Sequence, residues 1–373
     1  MNKDIEFLYS IVDKKPKKNL NRFANKEFIN KELHLKCDRF LPVTNQNGSY
    51  TYTNDQFKYT FNYQRYDGNL SYNNFVKNFY KLSDVHSKTI FTSCGMSSIF
   101  GVLSALSLTG KYNITFEKDI YFESQKIINN LIGFKKRYKP IYYLDTISDT
   151  FSFECDLKNA IVVIDTTCYS SLCFKNMLEK LLNNNCFCIL VRSHTKLDML
   201  GLEYSSLGSI VYLLPDKVQS KKFKEYKIII QKSMEVLSCL GMLAQEKNIF
   251  PLLNDSNVIT LNKKRIERIQ HNNEYFYKAV QNEFVLHKHK LFLTTNKLQN
   301  YNIDILKSKL LEFAKKNDDI CKFSGSFGFD YIAVDTFIDL IEKKNVIRIS
   351  IGDVEKKEID RFADRIKEFL KEL

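Results

Sequence analysis

A chain of 373 residues that is 44% hydrophobic can enclose a large core and still carry a second, smaller domain. No apolar run approaches the roughly 20 residues that span a bilayer, and Met1-Asn2-Lys3-Asp4-Ile5-Glu6 lacks the apolar stretch of a secretory signal, so a cytoplasmic protein without a membrane partner is expected. The formal net charge of +13 is spread over scattered lysines, densest at Lys14-Lys15, Lys17-Lys18 and Lys135-Lys136-Arg137, which reads as a solvated basic surface with no nucleic-acid partner.

Residues 1–60 have mixed polarity and many Asn, with a turn-rich break at Asn45-Gln46-Asn47-Gly48-Ser49. They read as an N-terminal arm that packs on a partner subunit. From 61 to 250, the apolar runs Thr89–Thr92, Ile141–Leu144, Ala160–Ile164, Phe187–Val191 and Ser209–Leu214 alternate with helical stretches. That alternation predicts an α/β three-layer sandwich with a mostly parallel central sheet. Lys217 to Lys247 reads as one or two helices leading out of this domain, toward Phe250-Pro251. From 251 to 373, helices over Asn262–Glu283, Ile303–Lys316 and Lys356–Leu370 alternate with the runs Lys290–Thr294, Tyr331–Val334 and Val346–Ile351. This suits a smaller C-terminal α+β domain. The nine cysteines are odd in number and none has C-x-x-C spacing, so a reduced, metal-free protein is expected.

Chemistry gathers at the ends of the apolar runs. Thr92-Ser93-Cys94-Gly95-Met96-Ser97-Ser98 opens an apolar helical stretch, and small residues at a helix start leave N–H groups and the helix dipole free for an anion. An ordinary serine-capped helix would look the same. Tyr121 follows in Asp119-Ile120-Tyr121-Phe122, as a candidate flat partner for a ring or as a core aromatic. Asp165 ends the Ala160–Ile164 run and precedes Thr166-Thr167, which suits either a carboxylate facing a ligand or a helix N-cap. Ser193-His194-Thr195-Lys196 comes just after the Phe187–Val191 run. A lysine there points into the crevice where open α/β sheets bind ligands, and Ser193 and Thr195 can hold a phosphate. Amine, carboxylate, flat partner and anion cradle are the four things pyridoxal phosphate (PLP) asks of a protein.

Taken in this order, the chain resembles the fold-type I PLP enzymes, and within them the cystathionine γ-synthase/γ-lyase group. The matching segments are Cys94-Gly95-Met96-Ser97, Asp119-Ile120-Tyr121, Asp165-Thr166-Thr167 and Ser193-His194-Thr195-Lys196. Tyr63-Gln64-Arg65-Tyr66-Asp67-Gly68-Asn69 matches the segment whose Tyr and Arg reach a neighbouring subunit's phosphate in that group. Val346-Ile347-Arg348-Ile349-Ser350-Ile351-Gly352 matches the segment carrying its substrate-carboxylate arginine. Ser326-Phe327-Gly328 matches the nearby Ser-Leu-Gly.

The resemblance implies Lys196 and Tyr121 as catalytic. It implies Asp165, Thr167, Gly95, Met96, Ser193, Thr195, Tyr63 and Arg65 as cofactor-binding, and Arg348 with Ser326 for the substrate carboxylate. It implies a homodimer or homotetramer acting on an amino acid as a lyase or γ-replacement transferase. An aminotransferase is the alternative, and a catalytically inert basic binding protein a further one. Two segments depart from the group. Tyr143-Leu144-Asp145-Thr146-Ile147-Ser148-Asp149 lacks the usual Asn-Pro, and Phe329-Asp330-Tyr331-Ile332 replaces the usual Gly-Gly-x-Glu-Ser.

Overall fold

The computed structural model describes residues 3–12, 14–16, 20–37, 49–53, 58–62, 74–116, 120–130, 139–153, 156–215, 220–245, 248–295, 301–339 and 344–373. Tyr63, Arg65 and Asp119 lie outside them.

Two N-terminal helices, α1 (Lys3–Ile11) and α2 (Arg22–Cys37), precede a hairpin of β1 (Ser49–Thr53) and β2 (Lys58–Asn62). The large domain follows: α3 (Phe75–Phe79), β3 (His86–Thr92), α4 (Gly95–Leu108), β4 (Tyr112–Phe116), α5 (Phe122–Asn130), β5 (Lys139–Asp145), β6 (Ile161–Asp165), α6 (Lys175–Asn183), β7 (Phe187–Ser193), α7 (His194–Leu197), β8 (Gly208–Leu214) and α8 (Ser220–Cys239). The long α9 (Ser256–Val280) leads into β9 (Val285–Leu286), β10 (Leu293–Thr295), α10 (Ile303–Lys316), β11 (Cys321–Phe323), β12 (Ile332–Asp339), β13 (Lys344–Ser350) and α11 (Lys356–Glu372).

The central sheet has the order β3-β8-β7-β6-β5-β4. β6 and β7 are apolar almost throughout because both faces of the sheet are covered. Odd and even positions divide between two cores. Val162, Ile164, Cys188 and Leu190 pack with α1, α2, α3 and α6 on one face. Ile161, Val163, Phe187 and Ile189 pack with α4, α5 and α8 on the other. The three-layer α/β architecture with a mostly parallel central sheet, read from the sequence, is therefore the observed one. β4, β5, β6 and β7 pair in parallel, whereas β8 runs antiparallel to both β7 and β3. The cause is the connection. After β7 the chain makes the single turn of α7 and re-enters the sheet at the same end, with Ser193 opposite Gly208. No crossover carries it back to the far end, as a parallel neighbour would need.

The small domain is a five-stranded sheet, β11-β12-β13-β10-β9, with only β11 and β12 parallel. Its core gathers Leu306, Leu310, Ile347, Ile349, Phe362 and their neighbours from α10, β13 and α11. Helix α10 has the limits the sequence predicts, set by Asn302, whose side chain accepts from the Asp304 and Ile305 N–H groups. Helix α9 begins earlier than expected, because Asp255 caps it by accepting from Asn257 and Val258.

Within the segment read as an arm for a partner, α1 and α2 pack on their own chain. Ile5, Leu8, Ile29 and Leu33 are buried in the large-domain core. Asp4, Arg22 and Lys26 join an ionic cluster with Arg265, Arg268, Asp330 and Asp353. No helix among the described residues is long and apolar enough to cross a membrane.

Candidate active site

A cavity of about 150 Å3 opens at the C-terminal ends of β5, β6 and β7, against the N-terminus of α4. Ligands in open α/β sheets bind at this edge. Lys196, Asp165, Tyr121, Thr167, Gly95, Met96 and Ser193 all line it. The turn after β7 places the lysine: Ser193 leaves the strand extended and α7 aims the next residues back over the sheet edge. Lys196 Nζ lies 5.3 Å from the Tyr121 ring centroid and 4.7 Å from that of Phe327.

Asp165 ends β6. Its Oδ1 accepts the Thr167 N–H at 2.9 Å, and Thr167 Oγ1 in turn accepts the Ser193 N–H at 3.1 Å. One threonine thus ties the carboxylate strand to the lysine turn. Gly95 is required by close approach: a Cβ there would sit 2.7 Å from Ser193 Cβ. Gly328 is required twice over. Its φ of 91° suits glycine, and a Cβ would overlap the Lys196 carbonyl. This contact seats the Ser326-Phe327-Gly328 loop on the lysine turn and explains how Phe327 reaches the amine.

The electrostatics follow from burial. Desolvation lowers the Lys196 amine from its ordinary value, with Arg348 pushing the same way and Cys168, Asp165 and Asp145 opposing. Desolvation also raises Asp165, against the bonds from Thr167. Asp145 lies beside Asp165 on the neighbouring strand. It is raised by burial and then by the Asp165 carboxylate, although it accepts the Tyr121 and Ile147 N–H groups at 2.9 Å each. Burial, then Glu123, pushes the Tyr121 phenol well above its ordinary value.

Not every expected residue faces the cavity. Thr195 is turned into its own connection, where its hydroxyl donates to Ser205 O at 3.0 Å and accepts the Leu207 N–H at 3.2 Å. Arg348 stands on β13 in the small domain, paired with Asp335 at 3.1 Å. Ser326 lies in the loop just before Phe327. Asp149, near the position of the missing Asn, accepts the Lys288 N–H at 2.8 Å and lies 3.4 Å from His287 Nδ1.

Asp145 is a cavity carboxylate that the sequence reading did not single out. Its signal was the one that marked Asp165, a carboxylate closing an apolar strand run. Beneath the lysine turn, Arg192 holds Asp198 through two bonds of 2.6 and 2.7 Å. His194 bridges Asp198 at 2.7 Å and Ser209 at 2.8 Å. This buried network fixes β7, α7 and β8 together. Among the described residues no cluster of His, Cys, Asp or Glu could hold a metal.

The fold is that of the PLP-transferase-like three-layer sandwiches. Solved structures share it at low identity. The cystathionine gamma synthase of Xanthomonas oryzae pv. oryzae is 13% identical over 79% of this chain and 84% of its own, with a TM-score of 0.51. The histidinol-phosphate aminotransferase of Clostridium acetobutylicum is 14% identical over 97% of this chain and all of its own, also with a TM-score of 0.51. No protein-family model and no curated protein matches the chain.

Proposed function

We propose that this protein is a PLP-dependent enzyme acting on amino acids, of the lyase or γ-replacement type found in the cystathionine γ-synthase/γ-lyase group. The observation that carries this reading is the convergence of Lys196, Asp165 and Tyr121 on one cavity beside the start of α4. When bound, PLP supplies an electron sink for negative charge at the amino acid's α-carbon. Lys196 is the covalent anchor. Its burial-lowered amine also suits it to take the α-proton. Asp165, held in place through Thr167, would favour the charged form of the ring nitrogen. Tyr121 would offer its ring as the flat partner. Gly95, Met96 and Ser193 form the phosphate end, where the first N–H groups of α4 and its dipole favour an anion.

Among the described residues, the cations lining the cavity are Lys196 and Arg192, and Arg192 is committed to Asp198. The family resemblance gives the phosphate's remaining charge to the partner subunit's Arg65 with the partner subunit's Tyr63, in a dimer or tetramer. Arg348 takes the substrate α-carboxylate, with Ser326 close by. Incubation with PLP, borohydride reduction and peptide mass spectrometry test the anchor. A pyridoxyl adduct on Lys196, lost in Lys196→Ala, is expected; no adduct, or one elsewhere, overturns the reading.

An aminotransferase is the second reading. It is supported by the likeness of fold to the histidinol-phosphate aminotransferase of Clostridium acetobutylicum, which extends over 97% of this chain at 14% identity. A half-reaction ending in one equivalent of keto acid and pyridoxamine phosphate identifies it. Release of ammonia or of a γ-substituent identifies the first.

A further inference from the structure

The cleft-facing side of the small sheet carries a charge pair whose anionic half has no role so far. Asp335 and Arg348 stand opposite each other on β12 and β13, with Arg348 Nη2 donating to Asp335 Oδ2 at 3.1 Å. Phe292 and Phe337 flank the guanidinium at 5.6 and 5.4 Å from ring centroid to Cζ. Phe337 also stacks on Phe122, 6.0 Å between centroids, next to Tyr121. The pair therefore looks across the cleft at the candidate site. Arg348 Nε is buried and has no hydrogen-bond partner among the described residues, while Asp335 keeps 17% of its side chain exposed. The exposed Gly325 passes over the pair. A Cβ there would lie 3.1 Å from Asp335 Oδ2 and 3.7 Å from Arg348 Nη2, so the loop backbone runs close beside the pair.

Charge counting gives the consequence. A substrate carboxylate that settles on the Arg348 fork finds Nη2 already on Asp335. Two anions then share one cation in a partly desolvated place, which is unfavourable unless the ligand brings a positive charge of its own.

Resting on the function proposed above, we propose that Asp335 is a specificity-determining residue: it selects amino acids with a second cationic group, amino or guanidino, and disfavours acidic ones. The test uses PLP-loaded wild type, Asp335→Asn and Asp335→Glu. Dissociation constants for ornithine, arginine, norvaline and glutamate are measured by calorimetry and by the cofactor's absorbance. Wild type and Asp335→Glu should bind the basic ligands about tenfold or more tightly than norvaline, the size of one charge-assisted contact. Asp335→Asn should lose that preference and bind glutamate about tenfold more tightly than wild type does. A flat preference in wild type, or an equal loss for every ligand in Asp335→Asn, overturns the inference; the latter would mark Asp335 as a mere support for Arg348. If all three proteins bind PLP but show no preference, only this inference falls. If none binds PLP, the cofactor reading falls too.

Discussion

His289 is a neutral imidazole by circumstance. It is 1% exposed, its Nδ1 accepts the Leu291 N–H at 3.1 Å, and the Phe292 ring lies 4.5 Å away. Burial, then the neighbouring His287, drives its pKa down to about 3. An unfolded histidine takes a proton near pH 6.5 and this one does not, so the protein loses stability as pH falls from about 6.5 toward 3. From this residue alone the loss between pH 7 and pH 5 should be about 2 kcal/mol. Urea unfolding at the two pH values measures it, and His289→Gln should flatten the difference by that amount; an unchanged slope would show that another group carries it. At this scale, Lys196 and Asp165 were legible because each closes an apolar run. Asp145 closes one too, yet nothing local says that β5 lies beside β6 in register. Thr195 was misleading because hydroxyl spacing cannot show that its bonds would be spent on Ser205 and Leu207.

Among the elements, α4 and the β7–α7 turn meet through one glycine. Gly95→Ala places a Cβ against Ser193 Cβ, and neither can swing away because a Cβ has no torsion of its own to turn. The helix must retreat. We expect a stability loss of about 1–3 kcal/mol, as for overpacked cores. We also expect PLP affinity to fall by about tenfold or more, because close approach at a helix N-terminus is what an anion site needs. A thermal melt beside a PLP titration separates the two, and a loss of stability with unchanged PLP affinity would remove Gly95 from the cradle. Helix and strand positions were largely readable from periodicity, as α10 and α11 show. The direction of β8 was not, since an apolar run carries no sign. Only the brevity of the 194–207 connection and its re-entry at Gly208 decide it.

Across the whole molecule, seven charged side chains from distant parts of the chain close on one another. Lys26 bridges Asp4 at 3.1 Å and Asp330 at 3.4 Å, and Arg265 pairs with Asp330. Arg22 links Asp4, Asp330 and Asp353. Removing Asp330 strands the buried Lys26 and Arg265 cations, so Asp330→Ala should cost about 3–5 kcal/mol in chemical unfolding. A cost below 1 kcal/mol would mean that water already screens the cluster. Asp4 and Asp330 are held below the usual carboxylate range against the opposing effect of burial. Their contribution is present above the unfolded carboxylate pKa of about 3.9 and is lost as pH falls through the lower folded values. No local pattern announces such a cluster, because its members join α1, α2, α9 and two small-domain loops.

The reversed strand has a kinetic corollary. β8 is the bridge between β3, which leads into α4, and β7, which leads into the lysine turn. The phosphate end and the amine end of the cavity thus come together only after the earliest and latest strands of the sheet have found each other. Such distant pairings are slow to nucleate. During refolding, cofactor uptake would lag behind the recovery of helix signal, and a nascent chain that has not yet released β8 would have no place for the ligand at all.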